Sequence, residues 1–136
     1  RMTATVTRPL AVALVGGLVA IGLTACSPSA SFSVLDREAS AGDAVPAELG
    51  GDDFGDADPD SARFVGEHGD AQLWLMRGGE SPVCLLVYVD AADWGHACGA
   101  APVGLDIGIG WFEVVADGQA APEGSVQISE NVYARG

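Results

Sequence analysis

Read for its apolar positions, the chain falls into three stretches of different character. Residues 10–23 are apolar and carry no charge. Residues 27–61 hold one apolar cluster, Phe32-Ser33-Val34-Leu35, among Ser, Ala, Gly, Pro and Asp. From Arg63 onward, apolar residues recur in short runs with the period of strands. So sparse a middle stretch offers too little apolar surface to offset the ordering of its backbone. Residues 26–62 are therefore expected to be a flexible acidic tether, with room for a helical turn at residues 46–49.

The third stretch predicts a β-rich domain over residues 63–136. Phe64-Val65 reads as a short strand, and Glu67-His68-Gly69-Asp70 carries turn chemistry. Leu73-Trp74-Leu75-Met76 is apolar on both faces, and Gly78, Gly79 and Pro82 break the chain after it. Residues 83–89 are the strongest strand: Val83, Leu85, Val87 and Val89 share one face, and Cys84, Leu86 and Tyr88 the other. A strand apolar on both sides needs neighbours on both, which places it centrally. Residues 90–95 read as a loop or one helical turn carrying Trp94, and Ala97-Cys98 as a short strand. Ile107, Ile109 and Trp111 alternate with Gly108 and Gly110 and lead into residues 112–115. Val126, Ile128 and Val132 have the spacing of a half-exposed strand. The fold class is mainly β, a small antiparallel sheet or half-barrel. The alternative is α+β, with one helix at residues 88–98 or 40–50.

The first stretch has the order of an export signal: Arg1 and Arg8 before it, no acid, and small residues at its end. It is short for a membrane span, which needs roughly 20 apolar residues, and Gly16, Gly17 and Gly22 weaken it as a helix. Its last residues, Leu23-Thr24-Ala25-Cys26, followed by Ser27-Pro28-Ser29, resemble the lipobox of bacterial lipoproteins. The resemblance implies residues 1–25 as a signal helix removed on export and Cys26 as the lipidated residue. It also implies palmitate-type acyl chains holding the protein on the extracytoplasmic face of the membrane. Each buried CH2 contributes about 0.8 kcal/mol, so two or three chains suffice for lasting attachment. The competing reading is an ordinary signal or uncleaved anchor with an incidental cysteine. Arg1 precedes Met2, which leaves open initiation at Met2 or a partial reading frame.

Charge narrows the partners. After Cys26 there are four arginines, no lysine and nineteen acids, a formal −15. Such a surface repels nucleic acid, and the lack of lysine removes Schiff-base chemistry. A chain rich in Ala, Gly, Val and Asp and free of lysine, behind a lipobox, is similar to the small lipoproteins of actinobacteria. That likeness transfers no catalytic residue. With Cys26 acylated, Cys84 and Cys98 remain, beyond the membrane where oxidation is permitted. Even parity and strand placement point to a disulfide between them, against the alternative of two separate buried thiols.

Candidate chemistry is thin. Asp56-Ala57-Asp58-Pro59-Asp60, with Glu67 at the twelfth position, resembles the opening of a calcium loop. Ser61 stands where that loop needs glycine, so a solvated acidic hinge is the expectation. His68 and His96 lack metal-ligand spacing, Ser81 and Ser125 lie in no nucleophile elbow, and Gly108-Ile109-Gly110 lacks a third glycine. Trp74, Trp94 and Trp111 are expected in the core rather than along a groove. No catalytic residue, cofactor or metal is expected. The functional expectation is a non-catalytic binding or interaction module of unknown ligand. The alternatives are a small envelope hydrolase with paired carboxylates and an accessory subunit of an envelope complex.

Overall fold

A computed structural model describes residues 29–136 together with Gly16 and Gly17. The lipobox and Cys26 lie outside the described residues. The fold is mainly β and antiparallel, in two four-stranded sheets rather than the single sheet or half-barrel expected. The first sheet has the order β1-β2-β3-β4, from Ala57–His68, Ala71–Gly78, Val83–Tyr88 and Trp94–Gly99. The second has the order β5-β6-β8-β7, from Val103–Asp106, Trp111–Val114, Val132–Arg135 and Val126–Gln127.

The sheets pack face to face through alternate residues. Leu73 and Leu75 of β2 and Val83, Leu85 and Val87 of β3 meet Val103, Phe112, Val114, Val132 and Ala134 of the second sheet. β3 is buried along its whole length and lies between β2 and β4, the central place its two-faced pattern called for. Cys84 and Cys98 stand opposite each other in the β3–β4 register. Their sulfurs are 2.03 Å apart, so a disulfide joins the two strands.

Residues 31–62 are not a tether. They pack onto the sandwich, and the expected boundary at residue 63 falls inside β1. The physical reason lies in the first sheet. Trp74, Met76, Cys84, Leu86 and Tyr88 make its outer face as apolar as its inner one, and an apolar face needs a cover. Leu49, Phe54 and Ala57, with Val45 beside them, supply it. Phe32 and Leu35 join the core between the sheets instead. Full burial of such side chains contributes about 1.5–3 kcal/mol each, so a few well-placed ones order a segment that composition marks as loose.

Polar contacts fix the cover in place. Asp43, 3% exposed, accepts from both terminal nitrogens of Arg37 at 2.7 and 2.6 Å and from the backbone N–H groups of Ser40 and Phe64 at 2.8 Å. The Arg37 guanidinium and these N–H groups hold the Asp43 carboxyl far below the usual range, against the opposing effect of burial. Arg63 donates from Nε to the Arg37 carbonyl at 2.9 Å, and Arg77 pairs with Asp36 at 2.5 Å. Tyr88 donates to Glu48, which raises the phenol to about 12. Three of the four arginines after Cys26 thus bind the covering segment to β1 and β2.

Other boundaries moved for local reasons. β4 starts at Trp94, within the expected loop. Gly108 and Gly110, expected inside a strand, have φ of 92° and 130° and form the turn between β5 and β6. The single strand expected from Val126 to Val132 is a hairpin, turned by bonds from Ile128 N and Ser129 N to the Val132 carbonyl.

Candidate binding face and cleft

The outer face of the second sheet carries the candidate site. Directly opposed residues of paired strands share a face. One row across that face is therefore Asp106, Trp111 and Arg135, and the next is Gly104, Glu113, Tyr133 and Gln127. The intervening residues, Phe112, Val114, Val132 and Ala134, point into the core. Strand alternation alone sets this division.

Trp111 is 39% exposed. Its indole crosses diagonally from β6 onto β5 and lies over Gly104. A Cβ at residue 104 would stand 1.9 Å from Cζ2 and 2.5 Å from Cη2 of the ring. Any residue but glycine would lift the ring off the strand. Glu113, opposite Gly104, pairs with Arg135 at 3.1 Å. Asp106 accepts from the Gly108 N–H at 2.7 Å, which closes the turn leading to Trp111.

Beside this platform a cleft of about 440 Å³ opens. Glu113 lies on its wall, with Ala30, Ala101, Pro102, Val115 and Pro122 among the other lining residues. The volume is in the range of small-ligand sites, and the lining has their usual character of apolar walls with few polar groups. A buried network braces one end. Asn131, 2% exposed, donates to the Val115 carbonyl at 3.0 Å and to Asp117 at 2.9 Å. Asp117 also accepts from Ser33 N at 2.8 Å, and its own N–H bonds the Ser31 carbonyl at 2.9 Å. Burial pushes the Asp117 carboxyl up, but the bonds from Asn131, Ser33 and Ser31 outweigh it and leave it below its ordinary value.

Chemically the arrangement is suited to binding. Hydrolysis by paired carboxylates needs two acids across one cleft, roughly 5–9.5 Å apart. Among the described residues lining this cleft, Glu113 is the one carboxylate, and it is paired with Arg135.

The residues singled out by sequence are scattered. Asp56 and Glu67 stand at opposite ends of β1 and do not share an ion site. Asp56 accepts from the N–H groups of Glu80 and Ser81 at 3.0 and 3.1 Å, capping the β2–β3 turn, and those bonds lower its carboxyl. His68 ends β1 edge-to-face with Phe112, and His96 stacks on Trp94 at 6.2 Å, so the two imidazoles lie in different clusters. Ser81 donates its N–H to Asp56, and Ser125 Oγ donates to the Pro122 carbonyl. Among the described residues no three His, Cys, Asp or Glu side chains converge as metal ligands. Of the tryptophans, Trp74 is core, Trp94 is half-buried and Trp111 is on the surface, which corrects the expectation for the last. The sequence reading missed Gly104, Glu113 and Arg135 as neighbours of Trp111, because only the β5–β6–β8 register joins them. No protein-family model, curated protein or solved structure matches the chain.

Proposed function

We propose that this protein is a non-catalytic binding module, lipid-anchored through Cys26 outside the cytoplasmic membrane, that presents the Trp111 platform and its cleft to a ligand. One observation carries the reading of the head: a surface tryptophan lies over glycine on the sheet face opposite the core, and Glu113, two residues along the same strand, lines an apolar-walled cleft. The acids with lowered carboxyls, Asp43, Glu48, Asp56 and Asp117, accept hydrogen bonds from the framework itself.

The anchor changes what the site meets. Ala30 lines the cleft and lies four residue steps from Cys26, with three residues between them. A chain of that length reaches at most about 14 Å. Acylated at Cys26, the protein therefore holds the cleft close to the membrane surface instead of on a long tether.

Two measurements test the two halves. Labelling with a palmitate analogue is expected to mark the full chain and not Cys26→Ala; equal labelling of both would remove the anchor. A soluble form starting at Ser29 is expected to co-sediment with washed cell envelopes, and Trp111→Ala to stay in the supernatant. Equal sedimentation of the two would move binding away from this face.

A further inference from the structure

We infer that the ligand of this face is a saccharide, seated with the C–H face of a pyranose ring on the Trp111 indole and its hydroxyls directed to Asp106, Glu113 and Arg135. The inference rests on the binding-module reading and adds the ligand class to it.

Lying over Gly104, the indole has one face against backbone and the other turned outward, and it cannot sink further because the strand is beneath it. An aromatic face is apolar and carries the negative lobe of the ring quadrupole. It matches a surface of C–H groups with slight positive charge, which is what one side of a pyranose presents. The polar surroundings then decide between ligands. Asp106 and Arg135 occupy the positions directly across from Trp111 on either side, about 4.5–5.5 Å away between neighbouring Cβ atoms. Carboxylates only accept hydrogen bonds and a guanidinium only donates them. Hydroxyls do both, so a sugar engages all three groups at once.

Other ligand classes fit less well. A cation would satisfy Asp106 and Glu113 but meet the like charge of Arg135. An anion would pair with Arg135 but face both carboxylates and a formal charge of −15 after Cys26. An apolar peptide or acyl chain would strip water from the Glu113–Arg135 pair and give nothing in return. A neutral polyol with one apolar face leaves none of these groups unmatched. The cleft shares Glu113 with the platform and offers a second sugar unit walls from Pro102 and Pro122. A wall polysaccharide and a glycolipid headgroup share this chemistry, and the proximity of Ala30 to Cys26 admits both.

The test uses the soluble form starting at Ser29 and two probe sets followed by tryptophan fluorescence and sedimentation. One set is soluble tetrasaccharides of N-acetylglucosamine and of mannose. The other is phosphatidylcholine vesicles with and without a digalactosyl diacylglycerol. A saccharide-bearing probe is expected to bind, and Trp111→Ala to weaken it at least tenfold. Gly104→Ala, which keeps the tryptophan but displaces its ring, should weaken it similarly, and Trp94→Phe should leave it unchanged. Unchanged far-ultraviolet dichroism in the variants separates loss of binding from loss of fold. Binding to tetrasaccharides identifies a polysaccharide source, and binding to the glycolipid vesicles alone a headgroup. No binding to any sugar-bearing probe, equal binding to plain vesicles, or binding undiminished in both Trp111→Ala and Gly104→Ala would overturn the inference. Competition separates it from the broader reading. Envelopes that retain the protein through Trp111 in the presence of an excess of every sugar-bearing probe would leave the module standing and the saccharide refuted.

Discussion

The two sheets are built alike and treated differently. Both are four-stranded and antiparallel, and they share one core. The first is apolar on both faces, crosslinked through Cys84 and Cys98, and covered by a segment bound down through three arginines. The second has its outer face lined by Asp106, Trp111, Glu113 and Arg135, with Glu113 also on the wall of a cleft. The contrast teaches that the covering segment and the disulfide belong to the scaffold. On the second sheet's outer face Asp106, Trp111 and Arg135 are exposed and have little to do with holding the fold together, whereas Tyr133 there is buried. Substitutions on the two sheets should accordingly part into those that melt the protein and those that leave it folded but unable to bind.

The largest effect is expected at Phe54, 1% exposed at the centre of the cover. Phe54→Ala should cost about 3–5 kcal/mol, read as a fall in the thermal midpoint. A loss under about 1 kcal/mol would mean the cover is dispensable. Next is the crosslink. Cys98→Ser opens a loop of fourteen residues' separation, worth about 3 kcal/mol in the chain-entropy model. Intact mass after alkylation should show no modified thiol in the soluble wild-type head until reductant is added.

Asp43→Asn should cost roughly 2 kcal/mol, less than a fully buried pair, because the Arg37 side chain is 42% exposed. This difference has a pH signature. The folded Asp43 carboxyl lies below its unfolded value of about 3.9. Its contribution is therefore full above about pH 5 and is lost as pH falls toward the folded value. The gap between wild type and Asp43→Asn, measured by urea unfolding, should narrow from pH 5 downward; a gap that widens would assign the stability to other groups. The smallest effect on stability is expected at Trp111→Ala, under about 1 kcal/mol. A loss as large as that of Phe54→Ala would make Trp111 a structural residue and erase the contrast between the sheets.

Much of the scaffold was legible in the sequence. The two-faced pattern of residues 83–89 placed β3 centrally, and the cysteine count with strand placement gave the Cys84–Cys98 pair. The covering segment was not legible, because its few apolar residues are widely spaced. Phe32, Leu35, Leu49 and Phe54 follow neither a period of 2 nor one of 3.6, since the segment fits another element's surface and repeats nothing of its own. The clue lay in the partner: Trp74, Met76, Leu86 and Tyr88 demanded a cover, and residues 32–57 hold those large apolar side chains on the N-terminal side. The binding face was hidden for a different reason. Trp111, Gly104 and Arg135 meet through register, which is set by pairings across β5, β6 and β8 that no local pattern encodes.

Native-state amide hydrogen exchange tests the central contrast most directly, because it reads the covering segment residue by residue. The N–H groups of Leu35, Asp43, Leu49 and Asp53 donate within short 3-10 turns and a tight turn, and that of Phe64 donates to Asp43. With the segment packed as described, Phe64 and Asp43 are expected to exchange with protection approaching that of Leu85 in β3, and Leu35, Leu49 and Asp53 well below the rate of an unfolded chain. Exchange of all five at the unfolded rate, while β2 and β3 stay protected, would restore the tether and leave the outer face of the first sheet bare.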